Sequence, residues 1–202
     1  MRLHDTSTAP NPRRVRIFLA EKGVTIPLVP VDIGARANQA AEFREKNPLG
    51  EVPLLELDDG TCIAESVAIC RYFEELHPEP PLMGRGAREA ALVEMWQRRM
   101  ELQILLPILQ CFRNTHEFAR GRTKQVPEYG EVCRETALER MCWVDGILAD
   151  REFVAGDRFT IADITLLCAI DFGRVVKLRP PSELAHLSRW HAAVSARPSA
   201  KA

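Results

Sequence analysis

The sequence predicts an α/β unit of order β-α-β-α-β-β-α followed by an all-helical unit. Three observations carry that reading. Strand and helix signals alternate over the first ~77 residues, strand signals almost vanish after residue 86, and His77-Pro78-Glu79-Pro80-Pro81 stands between them. Prolines this dense cannot continue a helix. The division is therefore 1–77, a linker over 78–86, and 87–202.

Leu3 lies in a short strand at the start of the chain. Pro12 to Lys22 reads as a helix, because Val15, Phe18 and Leu19 share a face and Gly23 is a natural stop. Ile26 to Val31 is β-branched and extended. Ala41 to Lys46 forms a short helix closed by the turn Asn47-Pro48-Leu49-Gly50. Two apolar runs, Val52 to Leu57 and Thr61 to Ala64, flank Asp58-Asp59-Gly60 and read as a hairpin. Ser66 to Leu76 carries Val67, Cys70, Phe73 and Leu76 at helical spacing. Beyond the linker, Arg88 to His116 is a long helical pattern with Leu92, Met95, Trp96 and Met100 on one side and a kink expected at Pro107. Glu131 to Leu148, Ile161 to Val176 and Pro181 to Ala196 complete the helices.

The chain of 202 residues has a formal net charge of −1, which gives no reason to expect nucleic acid or an anionic membrane as partner. Arg13, Arg14 and Arg16 fan around a helix axis and read as a solvated or paired face. No apolar run reaches membrane-spanning length, and Met1-Arg2-Leu3-His4-Asp5 lacks the core of a signal peptide. None of the six cysteines forms C-x-x-C, so reduced thiols in a cytoplasmic protein are expected. The histidines are scattered, and no metal site is expected.

Three local features bear on chemistry. Val52-Pro53 enters a strand at a position where proline removes a ladder donor. It is either an ordinary edge proline or, with a cis bond, a place where the Val52 N–H and C=O face outward to pair with an extended peptide ligand. Glu65-Ser66 follows a strand and opens a helix. It is either a plain cap or a head-group site, with a ligand carboxylate at the Ser66 amide and an ammonium at Glu65. Thr160-Ile161-Ala162-Asp163 is a capping box with Phe159 and Ile164 at the staple positions, a structural device that nucleates a buried helix.

Asn47-Pro48-Leu49-Gly50-Glu51-Val52-Pro53, then Glu65-Ser66, then Phe159-Thr160-Ile161-Ala162-Asp163, in this order and spacing, resemble the cytosolic glutathione transferases. The resemblance covers essentially the whole chain. It implies a thioredoxin-like N-terminal domain and an all-α C-terminal domain. It implies that Pro53 is cis, that Val52 pairs with the cysteinyl part of glutathione, and that Glu65 and Ser66 hold the γ-glutamyl end. It also implies a homodimer.

Two positions depart from the family pattern. Glu51 stands where relatives carry Lys or Gln against the glycine carboxylate of glutathione, which makes Asn38 the substitute candidate and Arg36 a weaker one. In the loop after the first strand, Ala9 takes the place of the usual Ser or Cys, and no tyrosine is near. Ala9-Pro10-Asn11 resembles the bacterial Nu-class and Ure2-like branch, where the asparagine lies near the sulfur. Asn11 is accordingly the expected donor, with Ser7 and Thr8 as hydroxyl alternatives.

A free thiol of pKa about 8.5 is only slightly ionised at neutral pH, so a donor aimed at sulfur favours the reactive thiolate. The thiolate then attacks an electrophilic carbon or a disulfide sulfur. Trp96, Arg99, Met100 and Gln103 are the expected acceptor lining, although Trp96 reads equally as core. The rival functions are a glutathione-dependent disulfide-bond reductase and a non-catalytic member that uses the fold as an interaction module.

Overall fold

The computed structural model describes residues 1–202. It divides into two compact units, Met1–Leu82 with Lys201–Ala202, and Met83–Ala200.

The first unit is a four-stranded sheet of order β2-β1-β3-β4, built from β1 (Arg2–Asp5), β2 (Leu28–Pro30), β3 (Leu54–Glu56) and β4 (Cys62–Ala64). β1 runs parallel to β2 and antiparallel to β3, and β3 pairs antiparallel with β4. β2 is shorter than the run Ile26 to Val31 suggests, and it lies at the sheet edge, where Pro30 within it and Pro27 before it are tolerated. The helices are α1 (Pro10–Glu21), α2 (Ala41–Lys46) and α3 (Ser66–Leu76). Leu3, Val15, Ile17, Phe18, Leu54, Leu55, Ile69 and Phe73 form the buried core. Each such side chain contributes about 1.5–3 kcal/mol by leaving water.

Polar contacts pin the helices of this unit. Lys22, at the end of α1, has a fully buried side chain that pairs with Glu74 of α3 at 2.5 Å and donates to the Pro80 carbonyl. Val31, Phe43 and Leu54 make a small cluster that seats α2. Hydrogen bonds from Arg2, His4 and Lys46 hold the Glu56 carboxyl far below the usual carboxylate range.

The second unit is helical: α4 (Gly86–Met100), α5 (Leu106–Thr115), α6 (Pro127–Leu148), α7 (Ile161–Gly173) and α8 (Ala185–Ser195). The expected single helix over 88–116 is divided. A π-helical turn, Glu101–Leu105, separates α4 from α5. Pro107 supplies no N–H and would crowd the carbonyl four residues back, so the widened turn takes the place of a simple kink. The buried side of α4 is Val93, Trp96, Gln97 and Met100, whereas Leu92 is 44% exposed and lies off the face expected for it. α6 packs closely on α5 at Gly130, where a Cβ would sit 2.5 Å from Thr115 Cγ2.

α7 is the centre of this unit: every residue from Ile161 to Ile170 is buried. A helix apolar all round belongs inside, and its polar members are answered by specific partners. Thr165 donates to Gln97 Oε1 of α4 at 2.6 Å. At its start the capping box is formed, with the Thr160 amide donating to Asp163 Oδ2 at 3.0 Å. Asp163 Oδ1 also accepts from the Val154 amide and from Trp190 Nε1 of α8, each at 2.9 Å. No helix is long and apolar enough to cross a membrane.

Candidate functional site

Three segments meet at one end of the sheet because of its register. β1 sets His4 against Leu54, and β3 sets Leu54 against Ala64. Thr6, Val52 and Ser66 each stand two residues beyond these pairs, so the chain passes all three positions at that end of the sheet. The first loop, the turn before β3 and the start of α3 therefore share one edge.

In the first segment α1 begins at Pro10, two residues earlier than the apolar pattern suggests, with Ala9 as its cap residue and no side-chain cap. Asn11 thus lies in the first helical turn rather than before it. Pro10 and Pro12 have no amide hydrogen, so Asn11 carries the one N–H among the first three helical positions. Ser7 and Thr8 form an exposed turn just ahead. Arg16 fastens this loop, donating to Asp5 Oδ1 at 2.6 Å and to the Thr6 carbonyl at 3.3 Å.

In the second segment the Val52-Pro53 bond is cis. The Val52 N–H and C=O make no hydrogen bond within the protein. The approach to Val52 is held by asparagines: Asn38 donates to the Gly50 carbonyl at 2.6 Å and Asn47 to the Glu51 carbonyl at 2.8 Å. Gly50 has φ +63°, and a Cβ there would sit 2.7 Å from the Asn38 carbonyl, so this latch requires glycine. Asn38 therefore spends one of its amide hydrogens on the loop and keeps the other. Arg36 is exposed, with φ 61°. Glu51 is exposed.

In the third segment Ser66 is not the cap of α3. Glu65 is, with φ 67° and ψ 114°, and Ser66 is the first helical residue. A positive φ at a non-glycine residue costs about 1–3 kcal/mol, a strain typical of functional positions. The turn leaves the Glu65 side chain exposed and the Ser66 amide without an acceptor in the chain. One lone pair of the Ser66 hydroxyl is used within the chain. Arg14 Nη1 donates to Ser66 Oγ at 2.7 Å. Arg14 is 0% exposed, so of the solvated or paired face expected for the arginines it takes the paired form.

The residues expected to line an acceptor pocket divide by burial. Gln103 is exposed in the π-helical turn and Arg99 is half-buried. Met100 is 0% exposed and belongs to the core of the helical unit. Trp96 is 6% exposed, stacks on Trp143 at 6.0 Å and carries the guanidinium groups of Arg99 and Arg151 against its ring at 4.7 and 5.1 Å. Elsewhere in this unit, His191, Asp171 and Ser195 look like a hydrolytic triad. Both partners meet the same Nε2, at 2.9 and 3.5 Å, so no proton relay runs through the ring.

Family models for the glutathione S-transferase N-terminal domain and C-terminal domain match residues 3–81 and 102–198. The chain belongs to the glutathione S-transferase family. Among relatives of this transferase, Glutathione S-transferase 2 of Saccharomyces cerevisiae is 38% identical over all of the chain and 88% of its own length. The crystal structure of Gtt2 from the same yeast matches with a TM-score of 0.95 at 38% identity, covering 100% of this chain and 99% of that one. A glutathione S-transferase domain-containing protein of Marinobacter aquaeolei VT8 matches with a TM-score of 0.95 at 41% identity, covering 98% and 99%.

Arg14 is the residue of this candidate site that the sequence pattern did not single out. The signal was present: Arg14 stands three and four positions before Ile17 and Phe18, inside the apolar stripe of α1. A charged residue within a buried stripe reports a partner across the interface, here on α3.

Proposed function

We propose that this transferase binds glutathione along the sheet edge where Thr6, Val52 and Ser66 meet, and ionises its thiol for attack on a small acceptor. The reading rests on one observation. The backbone groups of Val52, the Ser66 amide and the Glu65 carboxylate stand at the same edge and are not used within the chain. Their chemistry matches a γ-glutamyl peptide. Val52 pairs with the cysteinyl backbone as an added strand would. The α-carboxylate lies at the start of α3, where amides and helix dipole favour an anion. The ammonium faces Glu65. The second amide hydrogen of Asn38 serves the glycine carboxylate, with Arg36 as the nearest alternative in sequence.

The sulfur lies at the start of α1, beside Asn11, as in the Asn-type branch. The Asn11 amides and the helix dipole lower the thiol pKa, and each step of one pKa is worth about 1.36 kcal/mol. Ser7 and Thr8 contribute less, being exposed in the preceding turn. The thiolate attacks an electrophilic carbon or a disulfide sulfur. Assaying an aryl halide beside a small disulfide separates transferase from reductase activity.

The transferase works as a homodimer in the cytoplasm, with neither nucleic acid nor membrane as partner. Leu92, Leu102, Leu106 and Trp143 leave an apolar exposure on the helical unit, which a second copy would cover.

Calorimetry tests the head-group assignment. Glutathione should bind the parent, and Glu65→Ala should bind it about 1.5–3 kcal/mol more weakly, the range for a charged hydrogen bond. Unchanged affinity in a folded variant would place the head group elsewhere.

A further inference from the structure

We propose that Arg14 is a positioning residue that selects ligands carrying an α-carboxylate, acting through the hydroxyl of Ser66. This rests on the glutathione site described above and deepens it.

Ser66 Oγ has one hydrogen to donate and two lone pairs to accept with. Arg14 Nη1 donates to it at 2.7 Å, a charge-assisted contact between buried groups. One lone pair is thereby used, and the oxygen is held in a single rotamer. The Ser66 O–H has to find its acceptor elsewhere. No acceptor for it stands within the chain. The Ser66 amide, one residue past the strained turn at Glu65, is in the same condition.

Two donors of one residue, both without acceptors, suit the two oxygens of a carboxylate. The guanidinium behind them does more than hold the rotamer. Accepting from a cation polarises the hydroxyl and makes its hydrogen a stronger donor. Arg14 is 0% exposed, so little water screens its charge from a carboxylate one hydroxyl away. The helical position gives the same result by a second route. Arg14 lies on α1, whose start receives the sulfur in the proposed site, and it reaches to α3, whose start receives the carboxylate. One buried side chain thus links the two helices that receive the two ends of the γ-glutamyl-cysteinyl segment.

A merely structural arginine would tie α1 to α3 and affect every ligand alike. The test therefore varies the ligand together with the protein. Glutathione is compared with γ-aminobutyryl-cysteinyl-glycine, which lacks only the α-carboxylate, on the parent, Arg14→Lys, Arg14→Met and Ser66→Ala chains. In Arg14→Met, glutathione should bind about tenfold more weakly or worse, the loss of a charged hydrogen bond. The decarboxy analogue should change less than about twofold. The kinetic loss should appear in KM for glutathione, not in the pH at which the bound thiol ionises. Arg14→Lys, which keeps the charge, should recover part of the affinity for glutathione alone, and it serves also if Arg14→Met does not fold. Ser66→Ala should weaken glutathione in the parent and have a smaller effect in either Arg14 variant.

Equal losses for both ligands, or no loss for either while Ser66→Ala weakens glutathione, would overturn the role of Arg14 and leave the glutathione site intact. A parent that fails to bind glutathione, or a Ser66→Ala chain that binds it unchanged, would overturn the site itself and this inference with it.

Discussion

Asp163 is where stability can be worked from the structure in most detail. Its carboxylate is 0% exposed and accepts from the Val154 amide at 2.9 Å, Trp190 Nε1 at 2.9 Å, the Thr160 amide at 3.0 Å and Thr160 Oγ1 at 3.2 Å. Removing half of a capping box costs about 1 kcal/mol. Asp163→Ala removes more, because it strands donors from three segments in the core. Each stranded donor costs about 1–3 kcal/mol, and neighbours in one network add incompletely, so the expected loss is about 3–5 kcal/mol.

The pH dependence separates burial from hydrogen bonding at the same residue. Burial pushes the Asp163 carboxyl up to about 6 from 3.8, against the pull of its donors. A raised acid pKa means that the folded chain holds the proton more tightly than the unfolded chain does. The contribution is complete below about pH 4 and is lost as pH rises through 6, and a shift near two pKa steps corresponds to about 3 kcal/mol. Asp163→Asn has no such proton. The stability of the parent minus that of Asp163→Asn should fall by about 3 kcal/mol between pH 4 and pH 8. Urea denaturation of both chains across that range reads the difference directly, and groups common to both, such as Glu56, cancel. A difference that stays constant or grows with pH would refute the reasoning. Turnover per folded molecule should be unchanged, since Asp163 serves only the helical core.

Asn11→Ala should raise the pKa of the bound thiol and cut turnover about tenfold or more at pH 7, at least ~1.4 kcal/mol, while Ser7→Ala and Thr8→Ala do less. Spectroscopic titration of the thiolate checks this, and a parent-like Asn11→Ala beside a shifted Ser7→Ala would transfer the role to the hydroxyl. The chain should sediment at micromolar concentration as a dimer. A single species at the chain mass of 22.8 kDa would leave the apolar exposure at Leu92, Leu102, Leu106 and Trp143 without its proposed cover.

What the sequence determined by itself was local. α2 and α3 occupy the ranges their patterns indicate, Ala41–Lys46 and Ser66–Leu76, because a turn signal closes one and apolar spacing defines the other. The capping box at Thr160 and Asp163 was legible because both partners lie within one helical turn. Val52, Pro53, Glu65 and Ser66 were legible as positions, since proline and a strand-to-helix junction leave marks in the chain itself. Only the tertiary structure decided what stands across from them. Trp190 reaches Asp163 from 27 residues further on. Arg14 reaches Ser66 from 52 residues earlier and is buried rather than solvated. Ser66 yields the cap of α3 to Glu65 because the chain turns through a positive φ there. Met100 faces the core, where the pattern also allowed it to face a ligand. Periodicity tells which side of an element is covered, and says nothing of which partner covers it. That is set by strand register and helix packing, which join residues far apart in sequence.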